Sequence, residues 1–420
     1  MTFASSSYGE FSLVLHDRMR DQRTPLEVSL EVTRRCPLEC QHCYNNLPMG
    51  DVAARNRELS KEEYFSVLDE LEQMGTLWVL FTGGEVFARK DFLEIYTYAK
   101  RKGFLVTLFT NGILINEKIA DYLSEYPPFA IEITLYGRTK ETYDRLTAMP
   151  GSYDRCLRGI QLLLQRGLPL KVKTVGTTIN KHEIADMRRF VEEDLGVEFK
   201  SDSLINPRID CSAAPLGVRL SPEEVVALDL DWQKIADAHR KSLERELASP
   251  PRTTETVYGC GGGLKSFAID PYGHMSICVL SHRETYDIRQ GSVRAGWDKF
   301  LHEVRQQKRT RPSKCASCRL HSVCSMCPAN GELENGDPES PVEFLCEVAH
   351  LRANALGFEI PEHGECTLCT PAGRALLKEK TERLLAQGID LTVRNVVSSL
   401  LPVLNNSDAQ VSCGGCRAGN

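Results

Sequence analysis

The residues of this chain best suited to chemistry are its cysteines, which number 16 among 420 residues. All but Cys156 and Cys211 fall into tight groups, and the first group reads Cys-Pro-Leu-Glu-Cys-Gln-His-Cys from position 36. Three thiolates at this spacing can bind three irons of a cubane cluster and leave the fourth iron without a protein ligand. Structural zinc, with His42 as fourth ligand, is the alternative, although such sites usually have paired Cys-x2-Cys motifs. The spacing favours the cluster.

A second field of cysteines lies in the C-terminal half of the chain. Its members are Cys260, Cys278, Cys315, Cys318, Cys324, Cys327 and Cys346. Taken alone, this pattern fits paired zinc knuckles as well as iron–sulfur clusters. Two more Cys-x2-Cys pairs follow, Cys366 with Cys369 and Cys413 with Cys416. They could bind zinc or another cluster, act as a redox dithiol, or remain without a ligand.

The first cysteine group follows the first of six segments with strand patterns, which alternate with helical segments. The predicted strands are 26–35, 77–81, 104–109, 129–135, 170–175 and 197–204. Such alternation predicts an α/β fold with a parallel sheet and right-handed crossovers. Six units are fewer than the eight of a closed TIM barrel, so an open, partial barrel is expected. Its chemical groups should lie on loops at the carboxyl ends of the strands.

The cysteine spacing, the position after the first strand and Gly83-Gly84-Glu85 after the second together resemble the radical S-adenosylmethionine (SAM) superfamily. The resemblance covers residues 26–205 and implies a partial (β/α)6 barrel. It implies a [4Fe-4S] cluster on Cys36, Cys40 and Cys43, with SAM chelated to the open iron. It also implies reductive cleavage of SAM to a 5′-deoxyadenosyl radical, with flavodoxin or ferredoxin as electron donor.

The same resemblance suggests which residues contact SAM. His42 would lie against the adenine, and Gly83, Gly84 and Glu85 match the segment that receives the methionine amine. The remaining candidates for cofactor or cavity contacts are Thr110, Asn111, Thr134, Arg145 and, with a weaker match, Asn180. Arg145 could equally be a solvated helix charge.

The second cysteine field resembles the SPASM extension of radical SAM enzymes, which carries two auxiliary iron–sulfur clusters. By analogy one cluster takes Cys260, Cys278 and Cys327, and the other takes Cys315, Cys318, Cys324 and Cys346. The first auxiliary cluster would have an open or non-cysteine position, with Cys211 as the alternative ligand. Val279 stands where sulfatase-maturing relatives carry an aspartate base, which weakens that activity as an interpretation.

These patterns divide the chain into five regions. They are an N-terminal extension (1–25), the radical SAM partial barrel (26–205), a helical linker (206–250), the SPASM auxiliary-cluster domain (251–360) and a helical tail with the Cys-x2-Cys pairs (361–420). Only 35 residues precede Cys36, too few for a fused leader-binding domain of ~80–100 residues. Recognition of a leader peptide would therefore need a separate partner protein.

The resemblance predicts a peptide or protein substrate, as in maturases of ribosomal peptides. A tetrapyrrole side chain of the haem pathway is the alternative substrate, and a zinc-knuckle interaction protein is the non-catalytic alternative. A net charge of −6 and a pI of about 6.0 disfavour nucleic acid. No apolar run approaches the ~20 residues of a membrane span, and the N-terminus lacks a signal-peptide pattern. A reducing, cytoplasmic location is therefore expected.

Overall fold

The computed structural model describes residues 8–19, 21–250 and 255–387. The strands are β1 Glu27–Thr33, β2 Arg35–Cys36, β3 Leu47–Pro48, β4 Trp78–Gly83, β5 Leu105–Thr110, β6 Ala130–Thr134, β7 Leu170–Val175, β8 Glu198–Asp202, β9 Ser266–Ile269, β10 His274–Ser276 and β11 Tyr286–Asp287. The helices are α1 Tyr8–Arg18, α2 Val52–Arg57, α3 Lys61–Gln73, α4 Phe92–Arg101, α5 Glu117–Glu125, α6 Lys140–Thr147, α7 Ser152–Gln165, α8 Ile184–Arg189, α9 Pro222–Asp231, α10 Gln233–Ala248, α11 Val293–Ala295, α12 Leu301–Gln306, α13 His321–Cys324, α14 Pro328–Asn335, α15 Glu343–Ala355 and α16 Pro371–Gln387.

The main sheet contains the six predicted strands as parallel neighbours in the order β1-β4-β5-β6-β7-β8. Helices α3, α4, α5 and α7 connect successive strands, as the alternating pattern predicts. Apolar side chains from the strands and these helices form one continuous core. The predicted α/β fold with a partial parallel barrel is confirmed.

The sheet continues on the far side of β1 with strands that the sequence did not reveal. Strand β9 pairs with β1 in parallel, from Glu27 with Ser266 to Leu30 with Ile269. Strands β10 and β11 then add in antiparallel fashion. The sheet therefore crosses the sequence boundary at residues 250–251.

The helix that connects β1 to β4 begins as its sequence predicts. Ser60 Oγ accepts a hydrogen bond from the Glu63 amide, and the Glu63 carboxylate accepts one from the Ser60 amide.

Helix α6 is short and polar and was not predicted. The helical linker predicted over 206–250 contains two helices, α9 and α10, separated at Trp232, whose backbone is extended and whose ring packs 5.8 Å from Phe199.

The C-terminal region forms smaller apolar clusters around α9, α10, α13 and α15. Cys156, which stands outside the cysteine groups, is fully buried on α7, where it packs as a small apolar residue. Helix α16 covers the first part of the helical tail expected from residue 371. Cys413 and Cys416 lie outside the described residues. Across the described segments, no helix is both long and apolar enough to span a lipid bilayer.

Candidate active site

The first cysteine group lies in the loop that follows β1. Cys36 belongs to β2, which pairs with β3, and the Cys43 amide donates to the Cys40 carbonyl at 3.0 Å. Burial, with a contribution from nearby Glu85 and Cys43, raises the pKa of Cys36 to about 12. Burial also raises the pKa of Cys40, with Cys43 and Cys36 adding to the rise. The three sulfurs thus converge at the wall of a cavity of about 240 Å³.

These thiols fit a metal cluster, which holds cysteine as thiolate. The Leu38 amide and the Asn111 side-chain amide each lie 3.4 Å from Cys36 Sγ, where they would donate to the sulfur of a bound thiolate. Arg208 fixes the cysteine loop by donating to the carbonyls of Cys43 and Asn46. Its charge also lowers the cost of a thiolate at Cys43. Neither Arg208 nor its role was predicted from the sequence.

Two glycines allow the ends of β1 and β4 to approach each other beneath the cavity. A Cβ on Gly83, whose φ is +142°, would lie 2.1 Å from the Thr33 carbonyl oxygen. A Cβ on Gly84 would lie 2.5 Å from the Arg34 carbonyl oxygen. Both glycines line the cavity, and a side chain at either position would push the ends of β1 and β4 apart.

His42 forms part of an aromatic wall of the cavity. Burial lowers the pKa of His42 to about 4, so the imidazole is neutral. Its ring centroid lies 5.0 Å from that of Tyr136, and both residues line the cavity. Its Nδ1 is buried without a hydrogen-bond partner among the described residues. A buried, unpartnered ring nitrogen at a cavity wall suits a polar ligand.

Glu85 does not line the cavity, although the two preceding glycines do. Its carboxylate accepts hydrogen bonds from Thr110 Oγ1 at 2.7 Å and from the Asn111 amide at 2.8 Å. Burial raises the pKa of Glu85 to about 7. Glu85 therefore holds the turn after β5, and Thr110 and Asn111 in turn line the cavity together with Thr134 from the end of β6.

Two of the residues suggested as cofactor contacts lie elsewhere. Helix α6 buries Tyr143, Leu146 and Thr147, so its helical phase turns the Arg145 side chain outward into solvent. Asn180 is buried, but its side-chain amide donates to the carbonyls of Tyr136 and Val175. Neither residue lines the cavity, and the hydrogen bonds of Asn180 support the local fold.

Lys173 is the cation of this cavity, and sequence reasoning missed it. Its Nζ lies 3.3 Å from the Glu132 carboxylate and 3.1 Å from the centroid of the Phe109 ring. Burial lowers the pKa of Lys173 to about 8. The signal in the sequence was weak, because Lys173 occupies one of the alternating polar positions of the strand segment LKVKTV. A charge inside a barrel strand indicates a polar interior at that level.

The second cysteine field lines another cavity, of about 300 Å³, between α13, α14 and α15. Cys260 and Cys327 line this cavity and Cys278 does not, but the three thiols interact with one another and form the Cys260 group. Burial raises the pKa of Cys278 to about 11, and Cys327 and Cys260 add to the rise.

Four further cysteines of this field interact with each other rather than with the Cys260 group. They form the Cys315 group: Cys315, Cys318, Cys324 and Cys346. Burial raises the pKa of Cys318 to about 12, with further contributions from Cys324 and Cys315. The assignment of these three and four thiols to two auxiliary clusters stays a prediction.

Comparison with known proteins agrees with these features. The family model described as "Radical SAM superfamily" matches residues 30–191. The PqqA peptide cyclase of Bradyrhizobium diazoefficiens is 31% identical over 347 residues, spanning 78% of this chain and 89% of that protein. An AdoMet-dependent heme synthase of Oleidesulfovibrio alaskensis is 28% identical over 333 residues, spanning 74% and 84%.

The fold is also found in the structure of Streptococcus suis SuiB bound to precursor peptide SuiA. That match has a TM-score of 0.59 at 16% identity and covers 82% of this chain and 84% of SuiB. Native anSMEcpe with bound AdoMet gives a TM-score of 0.57 at 16% identity, covering 79% and 97%. The chain belongs to the radical SAM superfamily and is an enzyme of AdoMet-dependent iron–sulfur chemistry.

Proposed function

We propose that this enzyme modifies a peptide or protein, with one SAM-binding cluster in the barrel and two auxiliary clusters in the C-terminal region. The observation that carries the choice of substrate is the charge of the active-site cavity. Lys173 is the only lysine or arginine among the described residues that line it, and Glu132 already neutralises that lysine. A tetrapyrrole carries several carboxylates, which need cations around them.

The first cysteine group would hold the [4Fe-4S] cluster, and the cavity beside it would hold SAM. When bound, the pair supplies a reducing electron and a carbon radical able to abstract hydrogen from a substrate C–H bond. The neutral His42 and Tyr136 offer an aromatic surface to the adenine. Gly83, Gly84 and Thr134 offer polar groups at the ends of β4 and β6.

Lys173 is positioned to receive the carboxylate of SAM. Its ammonium group lies inside the barrel, where burial strengthens an interaction with an anion. Lys200 also binds Glu132, at 2.7 Å, so Glu132 keeps a partner when Lys173 turns toward a ligand. With this cation engaged by SAM, the lining offers no further fixed positive charge to a substrate. A neutral or weakly charged peptide segment fits that environment.

The two C-terminal groups differ in their number of thiols. The Cys315 group has four, enough to ligate each iron of a cubane. The Cys260 group has three, and Cys260 itself is exposed. We propose that the first auxiliary cluster keeps a position for a non-cysteine ligand, which a substrate group can occupy. Cys260 precedes β9, Cys278 follows β10 and Cys327 precedes α14, so two of the three thiols flank strands of the barrel sheet.

The relatives include both peptide and tetrapyrrole enzymes. A PqqA peptide cyclase and the subtilosin biosynthesis protein AlbA stand on one side, and an AdoMet-dependent heme synthase stands on the other. Sequence similarity therefore leaves both substrate classes open, and the charge of the cavity supports the peptide.

The first experiment tests the radical SAM site itself. Anaerobically reconstituted protein is treated with dithionite and SAM, and 5′-deoxyadenosine is measured together with bound iron. We expect Cys36→Ala to abolish 5′-deoxyadenosine formation and to lose about four irons of about twelve. Cys156→Ala is the matched control, because that thiol is buried on α7 and belongs to none of the cysteine groups. Equal cleavage by both variants would disprove the assignment.

A second experiment separates the two substrate classes. Iron coproporphyrin III is titrated into the reconstituted protein and followed by absorbance, and small peptides encoded beside the gene are tested for SAM-dependent mass changes. We expect a mass change on a peptide and no saturable porphyrin binding. Cys315→Ala should retain part of the 5′-deoxyadenosine formation but lose the modified peptide. Tight porphyrin binding with a change in porphyrin mass would overturn the peptide assignment.

A further inference from the structure

A second kind of metal site lies beside the Cys315 group and belongs to neither cysteine field. It consists of His350 on α15 and of His363, Cys366 and Cys369 from the segment between α15 and α16. All four side chains are buried, and one donor atom from each lies within 4.8 Å of the other three. The sequence singled out Cys366 and Cys369 but gave no sign of the two histidines.

The distances between these atoms match the edges of a zinc tetrahedron. Zn–S bonds of about 2.3 Å and Zn–N bonds of about 2.0 Å at tetrahedral angles place nitrogen and sulfur about 3.5 Å apart. His350 Nε2 lies 3.7 Å from Cys366 Sγ and 3.5 Å from Cys369 Sγ. His363 Nδ1 lies 3.5 Å from Cys369 Sγ. One ion can therefore reach these donors with little rearrangement.

Hydrogen bonds already orient the first histidine as metal ligands require. The Nδ1 atom of His350 lies 2.7 Å from the Cys346 carbonyl oxygen, so Nδ1 carries the proton and Nε2 presents its lone pair to the two sulfurs. Burial lowers the pKa of His350, which keeps the imidazole neutral. The His363 Nδ1 atom lies 3.1 Å from the Pro361 carbonyl oxygen, a contact that would be given up on metal binding.

The surroundings also suit two thiolates. Arg374 donates to the carbonyls of Cys369 and Ile360, which fixes the loop and places a positive charge near the Cys369 sulfur. Two thiolates neutralise the charge of one divalent ion, and two neutral imidazoles add no charge. Nitrogen and sulfur donors in a tetrahedron favour zinc among the common divalent metals.

We propose that His350, His363, Cys366 and Cys369 bind one zinc ion that fastens the segment before α16 to α15. The four donors are too close together for a cubane, whose thiolates each bind a different iron. A reversible disulfide between Cys366 and Cys369 would leave the two aligned histidines without a role. The site also adjoins the Cys315 group, because α15 carries both His350 and Cys346. Zinc there would hold that helix in place.

The test uses the full chain after anaerobic reconstitution with iron and sulfide, so that the cluster cysteines are occupied. The protein is then exposed to zinc, desalted and analysed for metals and by zinc X-ray absorption. We expect about one zinc per chain with two sulfur and two nitrogen neighbours. Cys369→Ser and His363→Ala should each lower the bound zinc at least tenfold with iron unchanged. His302→Ala, an exposed histidine on α12, is the matched control and should bind zinc as the unaltered chain does.

Three results would overturn the proposal: zinc with four sulfur neighbours, no zinc retained by the unaltered chain, or loss of about four irons in Cys369→Ser. The two variants also show which proposal has failed. Both should still form 5′-deoxyadenosine, because neither residue belongs to the barrel cavity or to the Cys260 and Cys315 groups. A deficit of zinc with intact SAM cleavage concerns this site alone.

Discussion

The buried ion pair that precedes the first cysteine makes a strong test of how the fold positions its cluster loop. Arg35 lies directly before Cys36, and its guanidinium donates to both carboxylate oxygens of Glu58 at 2.9 and 3.0 Å. Both side chains are less than 10% exposed. Glu58→Gln keeps the shape of the side chain but removes its charge.

The loss of folding free energy in Glu58→Gln follows from the contacts of the two side chains. One Arg35 N–H would face the new amide NH2 instead of an oxygen, which loses a charge-assisted hydrogen bond of about 1.5–3 kcal/mol. The Arg35 charge would also remain buried without its carboxylate, and breaking such a pair costs about 3–5 kcal/mol in all. Arg89, the other cation near Glu58, keeps a bidentate contact with Asp91. The loss therefore concerns Arg35.

Glu94→Gln is the matched control for this substitution. Glu94 pairs with Lys61 at 2.6 Å, but its side chain is 61% exposed, so the same chemical change should cost less than about 1 kcal/mol. Urea unfolding followed by circular dichroism under anaerobic conditions compares the two variants. Similar midpoints for Glu58→Gln and Glu94→Gln would refute the reasoning that burial makes the Arg35 pair costly to break.

Two further predictions concern buried charges of the barrel. Burial raises the pKa of Glu85 from 4.5 to about 7. Between these pH values the folded state holds a proton that the unfolded chain has released. The free energy of unfolding therefore falls as pH rises through that range. In the unaltered chain, Glu85 should lower the free energy of unfolding by up to about 3 kcal/mol between pH 5 and pH 8, measured by urea unfolding. Glu85→Gln should remove this contribution to the pH dependence. Lys173→Met should weaken SAM binding about tenfold at pH 7 in equilibrium dialysis, whereas Lys171→Met, a half-exposed control on β7, should not. Binding by the unaltered chain should weaken above about pH 8, where Lys173 loses its proton, and an unchanged affinity would contradict its role.

Local patterns were enough to predict the barrel, because each of its strands and main helices has a recognisable pattern within a short stretch of sequence. The apolar strands and the capping box at Ser60 are examples. The Cys36 motif is equally local, since its three thiols lie within eight residues. The grouping of the later cysteines came from analogy, and the interactions among the thiols agree with it.

Features that depend on distant contacts could not be found in this way. The pairing of β9 with β1 joins segments more than 230 residues apart, and four residues of strand carry no signal of a partner. The outward side of α6, and with it Arg145, follows from helical phase against the core. His350 and His363 meet Cys369 only because α15 and the following loop fold together. Lys173 resembled an ordinary alternating residue until its strand was placed in the sheet.

The position of β9 has a consequence for the folding of this protein during its synthesis on the ribosome. Strand β1 is an inner strand, yet its neighbour on one side is encoded more than 230 residues after it. At 5–20 residues per second, roughly 10 to 50 s pass before that neighbour emerges. During this interval the backbone N–H and C=O groups on that side of β1 have no partner strand, as at any unprotected sheet edge. Translation therefore passes through a vulnerable stage in which the nascent barrel depends on chaperones or on dilution to avoid pairing with another chain.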